Sequence, residues 1–184
     1  MKAATAQPNV SWTREAFDLF TLCCTKPLLA KVGRHAQNGG AAEPASTRLG
    51  NWYAAPVVVG KMSMVVCASE ASFLPLVVKA AEPERLVERV THLLGVLLRA
   101  LEAPEDAIAR ELREMAWWQP APTANASLLA TITGYRRSVE HWFATKPGSW
   151  SLAELNENLA TRPSALLEWR SPGERAVELL SAAS

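Results

Sequence analysis

The hydrophobic period changes once along this chain, and that change limits what it can fold into. Up to residue 79 the apolar residues fall in short runs rich in β-branched and aromatic side chains: 17–25 (FDLFTLCCT), 52–59 (WYAAPVVV), 62–68 (MSMVVCA) and 73–79 (FLPLVVK). Runs of this length bounded by turn residues predict strands. Gly60-Lys61 is a two-residue hairpin connection, and residues 69–72 form a slightly longer one. From Leu86 the period becomes helical, with Val90, Leu93, Leu94, Leu97, Leu98 and Leu101 on one stripe. Strands followed by helices imply an α+β fold, an antiparallel sheet of about four strands covered by C-terminal helices.

Further helices are predicted from Pro104, with Ile108, Leu112 and Met115 on one side, and over residues 127–145, where Leu128, Ile132, Tyr135, Val139 and Trp142 share a face. Ser151 to Glu154 and Ser171 to Glu174 each fit a capping box, so Glu154 and Glu174 are read as caps rather than catalysts. A short helix follows Lys26-Pro27 and stops at Gly33. Pro56 and Pro75 must lie at a strand start, a bulge or an edge, because neither can donate to a ladder. Residues 1–16 read as a flexible tail, 34–49 as a long loop, and 17–184 as a single domain, a reasonable size for one core.

Charge excludes less than pattern does. The chain carries 19 Lys and Arg against 18 Asp and Glu, so its total calls for no polyanionic partner. The halves differ: residues 1–79 hold eight basic against four acidic side chains, and residues 80–184 hold eleven against fourteen. Three cysteines, Cys23, Cys24 and Cys67, make no disulfide framework, and adjacent strand residues point to opposite faces. No apolar stretch is long enough for a membrane span and no signal-peptide core is present, so a reducing cytoplasm is the expected compartment.

No catalytic, metal or cofactor signature emerges. The glycines lack the phosphate-loop spacing, and His35, His92 and His141 lie too far apart for a ligand set. No Gly-x-Ser-x-Gly turn exists, and a Cys23 or Cys24 nucleophile with His35 competes with the usual inert, buried strand cysteine. Seven tryptophans are many for this length. The adjacent pair Trp117 and Trp118 can hardly bury both rings against the same surface if extended, so either one ring is exposed as a partner contact or the pair plugs the core between sheet and helices. Lys26, Lys31, Arg34, His35 and Arg48 with Trp52 and Tyr53 have the basic and aromatic composition of a stacking site, which Arg136 and Arg137 could join.

Four segments carry a resemblance: FTLCCTKPLL (20–29), Leu-Gly-Asn-Trp-Tyr-Ala (49–54), SLLATITGY (127–135) and NLATRP (158–163). They resemble a bacterial family catalogued only as a domain of unknown function, over residues 17–182. The family's helix start carries a glycine and then an Asn-Asp pair where this chain has Ala130 and Thr133-Gly134, which bears on any activity resting on those side chains. The resemblance implies a grouping and a bacterial or mobile-element origin, but no reaction.

Three functions are therefore expected in order. The first is a non-enzymatic interaction or regulatory module, antitoxin-like or defence-related, that binds a protein partner or its own copy. The second is an enzyme or a ligand- or nucleotide-binding protein with a pocket near Trp52 and Tyr53. The third is nucleic-acid binding by the basic N-terminal half, with an affinity that falls steeply with salt. The residues singled out are Thr25, Lys26, Arg48, Asn51, Trp52, Tyr53, Trp117, Trp118, Asn125, Ser127 and Arg136.

Overall fold

The computed structural model describes residues 20–32, 44–80, 82–145 and 151–182. The expected tail 1–16, the first part of the 34–49 loop, His35 and Trp150 lie outside the described residues. The described chain runs β1 (Phe20–Cys24), α1 (Lys26–Val32), β2 (Trp52–Val59), β3 (Met62–Ser69), β4 (Pro75–Lys79), α2 (Leu86–Ala100), α3 (Glu105–Glu114), β5 (Trp118–Pro122), α4 (Ala126–Thr145), α5 (Leu152–Ala160) and α6 (Pro172–Ser181). Short 3₁₀ turns precede α2 and α6.

The strands form one sheet in the order β4-β3-β2-β1-β5. The β2–β3–β4 part is the expected antiparallel meander, with Val59 opposite Met62 across the Gly60-Lys61 turn. Gly60 takes a φ of +59°, which a two-residue hairpin demands and glycine supplies without strain. The fourth strand starts later than the sequence run, at Pro75, because Phe73 adopts a left-handed φ of +58° in the turn. There the Ser69 and Ser72 hydroxyls lie 2.6 Å apart, and the Tyr135 hydroxyl donates to the Phe73 carbonyl at 2.8 Å.

Two features exceed the sequence expectation. β1 runs parallel to both its neighbours, and β5 is a fifth strand. WQPAP lacks the usual strand pattern, yet its register explains how it pairs. The Thr123 N–H donates to the Cys24 carbonyl, so by alternation the N–H groups of Ala121 and Gln119 face β1 while positions 120 and 122 face outward. Prolines occupy both outward positions, where no donor is needed. Pro56 fits the same rule, since it lies beyond the last β2 residue paired with β1.

The sheet is buried on both sides, which accounts for the near-continuous apolar strands. Phe20, Leu22, Cys24, Trp52, Val65, Cys67, Leu76 and Val78 face a core shared with α1, α2, α3 and α6. Cys23, Tyr53, Val57, Met64, Val66 and Val77 face a second core under α4 and α5. The leucine stripe of α2 buries Leu86, Val90, Leu94, Leu97 and Leu98 against the first of these. Ser171 and Glu174 form a complete capping box on α6, and the Ser151 hydroxyl accepts the Glu154 N–H at the start of α5. Among the described residues no helix is long and apolar enough to cross a membrane.

Candidate functional site

The Leu49–Ala54 motif is the natural place to begin, and its residues turn out to hold the sheet together. Leu49 and Trp52 are fully buried in the first core. Gly50 has a φ of +75°, and a Cβ added there would meet the Glu70 Cβ at 3.2 Å. Gly50→Ala is therefore expected to lower the unfolding free energy by about 1–2 kcal/mol, measured by urea denaturation, from left-handed strain plus the tight contact. Asn51 lies just before β2 and extends the ladder with its side chain: its Oδ1 accepts the Thr21 N–H at 2.8 Å. The Arg48 and Leu49 N–H groups donate to the two carboxylate oxygens of Glu111 on α3, at 2.8 and 3.1 Å.

Strand alternation separates the two aromatic residues of the expected pocket. Trp52 packs into the first core and Tyr53 into the second, so they lie on opposite faces of the sheet and line no common cavity. The Tyr53 hydroxyl donates to Glu70 Oε1 at 3.3 Å, and burial beside Cys23 and Glu70 raises its pKa. Burial also pushes the Cys23 thiol up to about 11 and the Cys24 thiol up to about 12. A thiol that titrates so high supplies almost no thiolate at neutral pH, so neither has nucleophilic character. All three cysteines are free and buried.

The remaining sequence candidates are spread over the fold. Thr25 and Lys26 follow the end of β1, and Asn125 and Ser127 follow the end of the neighbouring β5. Thr25 donates its N–H to the Ala54 carbonyl and opens α1, while Asn125 Oδ1 caps α4 by accepting the Ser127 and Leu128 N–H groups at 3.1 and 3.2 Å. The hydroxyls of Thr25 and Thr123, on adjoining strand ends, are shielded and have no hydrogen-bond partner among the described residues. Arg48 lies elsewhere, its guanidinium donating to the Ala182 carbonyl at 3.0 Å. Arg136 is half-buried on α4, Trp118 packs against the first core from β5, and Trp117 is exposed just before that strand. Among the described residues no group of three His, Cys, Asp or Glu is placed to hold a metal ion.

Two exposed large apolar side chains, one of them the most exposed among the described residues, share a single loop. Between α5 and α6 the chain closes a tight loop: Ser164 N–H donates to the Arg170 carbonyl, and Trp169 N–H donates to the Ser164 carbonyl. Leu167 anchors it inward, whereas Leu166 and Trp169 project outward at 61% and 74% exposure. Glu168 and Trp169 both hold left-handed backbone, with φ of 54° and 69°. That conformation is uncommon for any residue but glycine and an outlier for a bulky one. The sequence signal available was the tryptophan itself, flanked by Pro163 and Pro172 with no helical or strand period around it.

Fold and site together define a three-layer α+β domain, sheet between two helical layers, whose most specific sequence motif is spent on structure and which carries two exposed apolar side chains on one constrained loop. The chain belongs to the family described as Domain of unknown function (DUF6933), whose model matches residues 21–175 and so includes the Leu49–Ala54 motif. No curated protein and no solved structure matches the chain.

Proposed function

We propose that this domain is a non-enzymatic interaction module that grips a protein partner through the loop bearing Leu166 and Trp169. The observation that carries this reading is a large indole held in solvent by a backbone conformation that costs energy. Residues kept in sparsely populated conformations cluster at functional sites, and aromatic residues dominate the energetics of protein interfaces. Single exposed apolar residues are ordinary; two on one closed, strained loop form a preorganised knob. Trp117, 64% exposed, is the second large indole in solvent. Three free, buried thiols fit a reducing cytoplasm as the setting.

A ligand pocket at Trp52 and Tyr53 finds no support in their burial on opposite faces. The test is a paired variant, Leu166→Ser with Trp169→Ser. Both side chains are exposed, so the unfolding midpoint should move by less than about 0.5 kcal/mol in free-energy terms. Crosslinking in cells of the native host should retain a defined partner with the wild-type chain and lose it with the variant. An unchanged crosslinking pattern would refute the assignment to this loop. Recovery of nucleic acid instead of protein would favour the reading based on the basic N-terminal half.

A further inference from the structure

A cavity of about 510 Å³ lies between the end of the edge strand β4, the first half of α2 and the start of α5. Its apolar walls are Leu93 and Leu152, and its rim carries Lys79, Arg85, Glu88, Arg89 and His92. The volume falls within the range of small-molecule sites. The charges on the rim are not equivalent. Arg85 is bound in two-point fashion to Glu88, with Nε and Nη2 each 3.0 Å from a carboxylate oxygen, so those two neutralise one another. Arg89 donates to Glu82 at 3.0 Å and to the Lys79 carbonyl at 3.4 Å, which fixes its guanidinium against the strand end. The Lys79 ammonium has no carboxylate partner among the described residues, and the rim keeps a net positive charge from Lys79, Arg85 and Arg89 against Glu82 and Glu88.

We infer that this cavity binds a small monoanion with an apolar body, a carboxylate on an aliphatic or aromatic frame. The body packs between Leu93 and Leu152, and the carboxylate meets the Lys79 ammonium at the rim, Arg89 being paired with Glu82 as Arg85 is with Glu88. An apolar-walled site with one or two convergent charges has the usual anatomy of a ligand pocket, and a charge-assisted contact at its mouth selects the anion over a neutral analogue. This inference is independent of the loop at Trp169, which follows the far end of α5.

Titration of the ¹⁵N-labelled full chain with decanoate below its micelle range, followed by amide shifts, tests it. Saturable shifts are expected at Lys79, Leu93 and Leu152, with decanol at least about fivefold weaker and acetate not saturating. Lys79→Glu should weaken decanoate by about tenfold, leave decanol unchanged and leave the fold intact, since Lys79 is exposed. Raising salt should weaken decanoate alone. Decanol binding as tightly as decanoate, indifference to Lys79→Glu, shifts confined to other residues, or no saturable shift would each overturn the proposal.

Discussion

Replacing Asn156 by leucine is expected to lower the unfolding free energy by about 3 kcal/mol, a larger loss than its change in size suggests. Asn156 sits on the inner face of α5, 2% exposed between Leu155 and Leu159. Its carboxamide acts as a short artificial strand beside β4: the Val77 N–H donates to Oδ1 at 2.7 Å, and Nδ2 donates to the Val77 carbonyl at 3.1 Å. Val77 is fully buried, so leucine leaves both of its peptide groups without partners and without water. Urea denaturation measures the loss. Asn156→Asp separates the two bonds. It keeps an acceptor for the N–H but sets a second acceptor against the carbonyl, and it buries a charge. Its folded-state pKa must rise above the unfolded value, so the aspartate variant should be least stable near pH 7 and recover as pH falls. An aspartate variant as stable as wild type at neutral pH would show that the Nδ2 bond carries nothing.

The same device is repeated along both sheet edges. On β4 the outward-facing positions are Pro75, which has no donor, Val77, held by Asn156, and Lys79, whose carbonyl accepts from Arg89. On β5 the outward N–H positions include two prolines. Edge strands treated in this way cannot readily add a further strand. Any partner is therefore expected to dock through side chains, as the loop at Trp169 would, rather than by extending the sheet.

How much of this was legible follows from where each residue's partner lies in the chain. The meander from residue 52 to 79 and the leucine stripe of α2 are local patterns, set by alternation, a glycine turn and a period of 3.6, and they read directly. β5 did not, because Pro120 and Pro122 are tolerable only once Thr123 has fixed which N–H groups face β1, a fact of register rather than composition. The parallel pairing of β1 is equally nonlocal, since Asn51 and Ala54 accept the N–H groups of Thr21 in β1 and Thr25 just beyond it, from 30 and 29 residues away. The Leu49–Ala54 motif was visible as a motif, but its meaning was not. Asn51 and Arg48 read as polar candidates until Thr21, Glu111 and Ala182 are seen to occupy them. The clearest missed signals were polar residues interrupting apolar helix faces: Asn156 between Leu155 and Leu159, and Glu111 one turn after Ile108.

Glu111 should give the chain a pH dependence of opposite sign to that of an ordinary ion-paired carboxylate. It is 1% exposed, and desolvation raises its pKa to about 7, with the nearby Glu114 adding to the rise and the Leu49 and Arg48 N–H groups and the Arg48 charge opposing it. In the unfolded chain a glutamate titrates near 4.3. Between these values the native state holds a proton that the unfolded state has released, so stability falls as pH rises through that window. The full contribution is present below about pH 4.3 and is lost as pH rises through about 7, an expected difference of about 4 kcal/mol. Exposed carboxylates such as Glu88, Glu105, Glu174 and Glu178 have lowered pKa values and act in the other direction at lower pH, so the comparison must be between variants. Glu111→Gln cannot titrate, but its Nε2 would face one of the two backbone N–H donors, so it should fall below wild type by about 1–2 kcal/mol near pH 4.5 and show none of the wild-type decline between pH 4.5 and 7.5. Glu111→Ala removes both backbone acceptors and should fall below wild type at pH 4.5 by about 2 kcal/mol, loosening the turn before Gly50. If the glutamine variant instead ran parallel to wild type across pH 4.5 to 7.5, Glu111 would be ionised throughout, and the two N–H bonds from Arg48 and Leu49 would be strong enough to outweigh its burial.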